Sequence, residues 1–154
     1  MQAFYMEDKI NEADICFTKA LEILDHHWGP FHPLHINIYS IMAQLLIYKN
    51  KYEDAGYLYK ASLLCCMRIL GPNHIQTGEV HMDYGKLYLL RKKKMDSLQH
   101  FMEAYLIYEA YFGQNALQTA EASMNIAAIL EEDRKLKEAF TYAKVAANTY
   151  TNVF

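Results

Sequence analysis

The chain has 154 residues, 53% of them apolar and 21% charged, with a formal net charge of −3. That length suits one domain with a real core, the composition excludes a disordered chain, and the charge gives no reason to expect nucleic acid as a main partner. Six glycines and three prolines are few for a β-sandwich or a loop-rich enzyme, so a mostly helical fold is expected.

The chain opens on "MQAFYMEDKINEAD", with acid where a signal peptide would need a basic end and then an apolar run. "NEADICFTKALEILDHH" follows, with apolar residues at three- and four-residue steps that predict a helix. Next comes "HHWGPFHPLH", with four histidines in residues 26–35. Zinc needs three or four convergent ligands, and adjacent histidines diverge, so no metal site is expected. The stretch reads as punctuation instead. His26 and His27 favour the negative end of a helix, Gly29 supplies a turn, and Pro33 starts the next helix where a missing N–H costs nothing.

"PLHINIYSIMAQLLIYKN" is the second predicted helix. Its apolar run is interrupted by Asn37, Ser40 and Gln44 and is too short to span a bilayer, so no membrane span is predicted. The polar turn Lys49-Asn50-Lys51 leads into "YEDAGYLYKASLLCCMRIL". Cys16, Cys65 and Cys66 form neither a disulfide framework nor a spaced zinc set; they read as buried, reduced thiols of a cytoplasmic protein. "IQTGEVHMDYGKLYLLRK", "DSLQHFMEAYLIYEAYF", "ALQTAEASMNIAAILEED" and "LKEAFTYAKVAANTY" complete the run of predicted helices.

These elements repeat. Gly29, Gly71 and Gly113 lie 42 residues apart, and the same step links Ala13, Ala55, Ser97 and Ala139, then Ala20, Ser62, Ala104 and Ala146, then Ala43, Gly85 and Ala127. A large aromatic series, Phe17, Tyr59 and Phe101, is broken by Ala143, and Leu46, Tyr88 and Leu130 form another large series. Small residues let two helices approach, and large ones fill the space beside them. The expected fold class is all-α, a right-handed superhelical solenoid of antiparallel helix pairs.

Ala or Gly in the first helix, and Ala with an aromatic early in the second, resemble the tetratricopeptide repeat. Tyr52, Ala55, Tyr59, Ser62 and Gly85 carry the resemblance best. The family's usual unit is 34 residues; the 42-residue step, the "LGPNH" and "WGPFHP" linkers and "MNIAAIL" are similar to the kinesin light chain type of repeat. The resemblance covers the whole chain. Kinesin light chains, clustered-mitochondria proteins and the C-terminal domains of SET/MYND methyltransferases all look like they share such helix pairs. On this register the chain is one repeat domain, residues 1–154, made of a partial unit 1–29, units 30–71 and 72–113, and a last unit 114–154. Seven helices and a stub of an eighth are expected, as a slice of a longer solenoid whose end faces need covering.

No catalytic motif is present. Cys65 and His74 are a conceivable nucleophile and base, but repeat packing already explains their spacing. No enzymatic activity, cofactor or metal is expected. The resemblance implies a concave groove lined by first helices, which places Asn37, Ser40, Ile41, Gln44 and Tyr48 on it, then Glu79, Met82, Asp83 and Lys86, then Glu121, Met124, Asn125 and Ala128. Asn37, Gln44 and Asn125 suit the backbone of an extended peptide. Glu79, Asp83 and Glu121 outnumber Lys86, so a protein or peptide with basic or neutral side chains is the expected partner. A non-catalytic adaptor, in a cargo-linking or organelle-positioning complex in the manner of the resembling families, is the reading; an accessory domain of a larger enzyme and self-association through terminal helices such as "LKEAFTYAKVAANTYTNVF" are the alternatives. The run Arg91, Lys92, Lys93, Lys94 looks like a patch for phosphate or anionic lipid, and equally like helix-terminal charge.

Overall fold

The computed structural model describes residues 2–153, with side chains for residues 7–151. Two units of contacts divide the chain, Met1–Pro72 and Asn73–Phe154. The first holds α1 (Gln2–Trp28), α2 (Pro33–Tyr48) and α3 (Tyr52–Ile69). The second holds α4 (Ile75–Leu90), α5 (Lys94–Phe112), α6 (Leu117–Glu132) and α7 (Leu136–Val153). Within each unit every helix packs on its neighbours in chain order. Among the described residues there are no strands.

The stub of an eighth helix does not form a separate element. Asp8 occupies the repeat position of Asn50, yet α1 runs through it from Gln2 to Trp28 without a turn. Asn50, Lys92 and Arg134, 42 residues apart, each adopt a left-handed backbone, with φ of 62°, 60° and 60°. A side chain in that conformation costs about 1–2 kcal/mol. The three turns offset this with one bonding pattern: Lys51 N–H reaches Leu46 O, Lys93 N–H reaches Tyr88 O and Lys135 N–H reaches Leu130 O, at 2.8–2.9 Å. Each also closes a full helix pair.

The opposite ends of the pairs reverse at glycine. Gly29, Gly71 and Gly113 have φ of 79°, 91° and 82°, a region glycine enters at little cost. The histidine stretch acts here as capping chemistry. His32 is the N-cap of α2, its Nδ1 accepting from Leu34 N–H at 3.2 Å, while His35 Nδ1 accepts from His32 N–H at 3.2 Å. The fully buried His35 also places Nε2 2.7 Å from Asp25 Oδ1, which ties α2 to the end of α1. His74 repeats the cap on α4 by accepting from Gln76 N–H at 3.1 Å. Ala116 cannot; instead Thr119 Oγ1 donates to Gly113 O at 2.8 Å.

The core is built from the small and large series. Ala43, Ala55, Ser62, Ser97 and Ala104 are fully buried, as are Phe101 and, within 1%, Tyr59. A Cβ on Gly85 would lie 2.9 Å from Phe101 Cε1, and Ser97 Oγ donates to Gly85 O at 2.7 Å. Ser62 Oγ donates in the same way to Ile36 O at 3.0 Å. No buried side-chain N or O among the described residues lacks a partner. Met82, Phe101, Tyr105, Ile126 and Leu130 belong to one apolar cluster joining α4, α5 and α6.

His81 and His100 bridge α4 and α5 with their Nδ1 atoms 3.0 Å apart, one neutral ring donating and the other accepting. Burial lowers both; His100 falls to about 4, with His81 adding to the shift and Asp96 opposing it, and Glu103 opposes the shift at His81. The rings therefore fold as neutral bases, while the unfolded chain takes up protons near pH 6.5. Between about pH 6.5 and 4 the unfolded state binds more protons, so stability falls as pH falls.

Two outcomes test this packing. Gly85→Ala should destabilise the fold by about 1–3 kcal/mol in denaturant melts, despite the helix propensity that alanine adds, because the fully buried Phe101 has nowhere to move. His81→Gln/His100→Gln should flatten the decline in thermal midpoint between pH 6.5 and 4. An unchanged slope would locate that pH dependence elsewhere.

Candidate functional site

In the second unit the polar face of α4 borders a concavity. Glu79, Met82, Asp83 and Lys86 follow three- and four-residue steps on α4 and so share one face. Together with Tyr108 from α5 and Glu121 from α6 they line an open depression of about 250 Å³. Met82, 4% exposed, forms its apolar base. Lys86 Nζ donates to Glu121 Oε1 at 3.1 Å across the gap between α4 and α6.

Three carboxylates against one ammonium make this depression electronegative. Burial pushes the Asp83 carboxyl above its ordinary range; Lys86 pulls it down, and Glu79 and Glu121 push it up further. The Tyr108 phenol is raised by burial and then by the charges of Glu79, Asp83 and Glu121, so it stays a neutral hydroxyl. A cationic hydrogen-bond donor entering here would relieve the repulsion among the carboxylates. Nothing in the lining is arranged as a nucleophile with a base.

The other residues of the register lie apart from this depression. Asn125 is half-buried on α6 and does not line it. Met124 lines a second, apolar depression of about 210 Å³ with Ala127, Ala143, Ala146, Ala147 and Tyr150. That hollow exists because Ala143 stands at the repeat position of Phe101. In the first unit Asn37, Ile41, Gln44 and Tyr48 are exposed on α2, whereas the Ser40 hydroxyl lies 3.2 Å from Ser62 Oγ, facing α3. Tyr48 borders a crevice of about 400 Å³ with Glu7, Ile10, Asn11, Lys49 and Lys51.

Tyr108 is the lining residue that the sequence register missed, because it comes from a second helix. Its repeat equivalents are Cys66 and Tyr150, and Tyr150 lines the second depression in the same way. Cys65 and His74 are otherwise engaged. The buried Cys65 thiol is 3.8 Å from Pro30 O, and burial and then Asp25 raise its pKa, while His74 Nδ1 caps α4. Among the described residues no three His, Cys, Asp or Glu side chains gather closely enough to hold a metal ion, and no helix is long and apolar enough to cross a membrane.

Comparison with known proteins identifies the fold. BtubC (BKLC) from P. vanneervenii superposes with a TM-score of 0.85 at 15% identity, over 96% of this chain and 58% of that one. A putative kinesin light chain of Podosopora anserina with nearly identical TPR-like repeats gives 0.75 at 10% identity, over 99% of this chain and 72% of its own. The all-α, tetratricopeptide-like array of antiparallel helix pairs expected from the 42-residue step is thus the fold of this chain. In sequence it is similar to clustered mitochondria protein homologs of Lodderomyces elongisporus, 24% identical over 110 residues, and Ajellomyces capsulatus, 27% over 108. The chain covers 8% and 9% of those two proteins, with 71% and 70% of its own length aligned. No family model matches the chain.

Because burial disfavours the ionised Asp83 at neutral pH, Asp83→Asn should melt at or above the unaltered chain at pH 7. The native carboxyl, raised in the fold, takes up its proton first as pH falls, so the advantage of the amide should shrink toward pH 4. Paired thermal melts at the two pH values check this; an advantage that grows on acidification would contradict the electrostatics of the depression.

Proposed function

We propose that this chain is a non-catalytic protein-interaction module, whose depression between α4 and α6 takes a lysine or arginine side chain from an extended partner segment. The tetratricopeptide-like fold supports a scaffold of protein contacts. The observation that carries the finer reading is the gathering of Glu79, Asp83 and Glu121 around Met82 and the neutral Tyr108 hydroxyl. A guanidinium or ammonium there would meet carboxylate acceptors in a partly desolvated site, where charge-assisted hydrogen bonds are strong. Lys86 would release Glu121 to the ligand and turn toward its backbone.

Asn125 on α6 and, separately within the first unit, Asn37 and Gln44 on α2 offer amides suited to a peptide main chain. The names of the similar proteins, clustered mitochondria protein and kinesin light chain, favour an adaptor in a cargo-linking or organelle-positioning complex of the cytoplasm. The partner then contributes the chemistry, and this chain contributes shape and charge.

The test is fluorescence anisotropy of the chain with an arrayed set of extended peptides that differ only in a central Lys, Arg, Gln or Glu. Lysine or arginine peptides should bind about tenfold tighter than glutamate peptides, a difference near 1.4 kcal/mol. Glu79→Gln/Glu121→Gln should erase the preference with helix content unchanged. A preference that survives in the variant, or its absence in the parent, removes the depression as the binding site.

A further inference from the structure

We propose that the turn edge of the unit Asn73–Phe154 is a docking surface for a membrane carrying anionic lipid. Because α4 to α7 alternate in direction and pack in chain order, the α4–α5 and α6–α7 turns lie at the same edge. Lys94 Nζ is 2.5 Å from Glu132 Oε2, and Lys94, Met95, Leu98, Leu130, Glu132 and Asp133 share the lining of a crevice of about 250 Å³. The two turns therefore adjoin.

This edge concentrates positive charge in a chain whose net charge is −3. Residues 91–94 and 134–137 hold seven of the fifteen lysines and arginines. The nearby acids are Asp96, Glu131, Glu132, Asp133 and Glu138, of which Glu132 pairs with Lys94 and Asp133 lies 4.0 Å from Lys135. Helix chemistry accounts for only part of the set. Arg91, Lys92 and Arg134 follow the C-termini of α4 and α6, where the dipole favours cations. Lys93, Lys94, Lys135 and Lys137 stand at the N-terminal ends of α5 and α7, where it disfavours them, and Lys93 makes no side-chain cap. Of these four, Lys94 pairs with Glu132, and Lys93 and Lys135 share a repeat position with Lys51, so the helix dipole is offset at three of them by a contact or a recurring turn.

Large apolar side chains stand among them. Leu90 is 50% exposed, Met95 65% and Leu136 65%. Charge alone would fit any polyanion. Lysines able to reach lipid phosphates, beside apolar chains able to enter the acyl boundary, fit a bilayer surface better than RNA or free phosphate.

The experiment is co-sedimentation of the 154-residue chain with vesicles of phosphatidylcholine alone and of phosphatidylcholine with phosphatidylserine. Binding should require phosphatidylserine and weaken as salt rises. Lys93→Glu/Lys137→Glu places acid at helix N-termini, where the fold tolerates it, and should lower the binding constant by at least about tenfold at about 1 kcal/mol per cation. Leu90→Gln/Met95→Gln should weaken binding several-fold, with circular dichroism unchanged in both variants. No sedimentation, equal sedimentation with both vesicles, or insensitivity to Lys93→Glu/Lys137→Glu would overturn the proposal. So would full binding by Leu90→Gln/Met95→Gln with displacement from vesicles by a single-stranded RNA, which would give the edge to a soluble polyanion.

Discussion

The close crossing of the two helices in each pair is the constraint from which the rest of this structure follows. At Gly85 the α4 backbone has no side chain, so the Phe101 ring lies against it and the Ser97 hydroxyl reaches its carbonyl at 2.7 Å. Ala43 and Tyr59, at the same repeat positions, are both fully packed. Where the large partner is lost, at Ala143, a hollow opens beside Ala127. Dispersion and apolar burial are gained only at such short range. The small-and-large pairing thus decides where the pairs are solid and where they leave space.

That constraint made the fold legible in the sequence. A step of 42 shared by glycines, small residues and large residues has few explanations other than stacked helix pairs, and the glycine loops fell where the step placed them. The other reversal was legible as the polar turn Lys49-Asn50-Lys51, but its backbone conformation was not. Asn50, Lys92 and Arg134 all take a left-handed backbone, yet nothing in a lysine or arginine announces it; tertiary pairing of the flanking helices imposes it. The run of α1 through Asp8 is the converse, a residue at a turn position of the repeat that stays helical. The histidines of residues 26–35 were read correctly as punctuation, but their particular use, His32 as a cap and His35 buried against Asp25, depends on contacts between elements.

The candidate site was legible to a similar depth. Counting along the faces of α4 and α6 placed Glu79, Met82, Asp83, Lys86 and Glu121 together, and all five line one depression. The count did not separate these from Ser40, whose hydroxyl meets Ser62, or from Asn125, which the depression leaves aside. Periodicity reports which face a residue occupies and says nothing of its depth, which depends on the neighbouring helix. Tyr108, on a second helix, fell outside that count for the same reason.

Comparing the copies position by position divides the chain into what packing dictates and what it leaves open. The series Ala55, Ser97, Ala139 and Ser62, Ala104, Ala146 stay small, because any bulk there would part the helices. The series Ile41, Asp83, Asn125 changes chemical type in every copy, and the series Asn37, Glu79, Glu121 changes between the first copy and the next two. Nothing in the fold demands three carboxylates facing one ammonium beneath a buried tyrosine. Burial that raises Asp83 is a cost to folding, set against the gain available if a cationic ligand arrives. The same reasoning applies at the turns to Lys94 and Lys137, which each occupy a helix N-terminus that would favour acid and whose series Tyr52, Lys94, Leu136 and Glu53, Met95, Lys137 vary, though not to Lys93, which recurs as Lys51 and Lys135. Residues that oppose local stability at positions free to vary are where a binding function is most economically sought, and in this chain they fall on one face and one edge of the same unit.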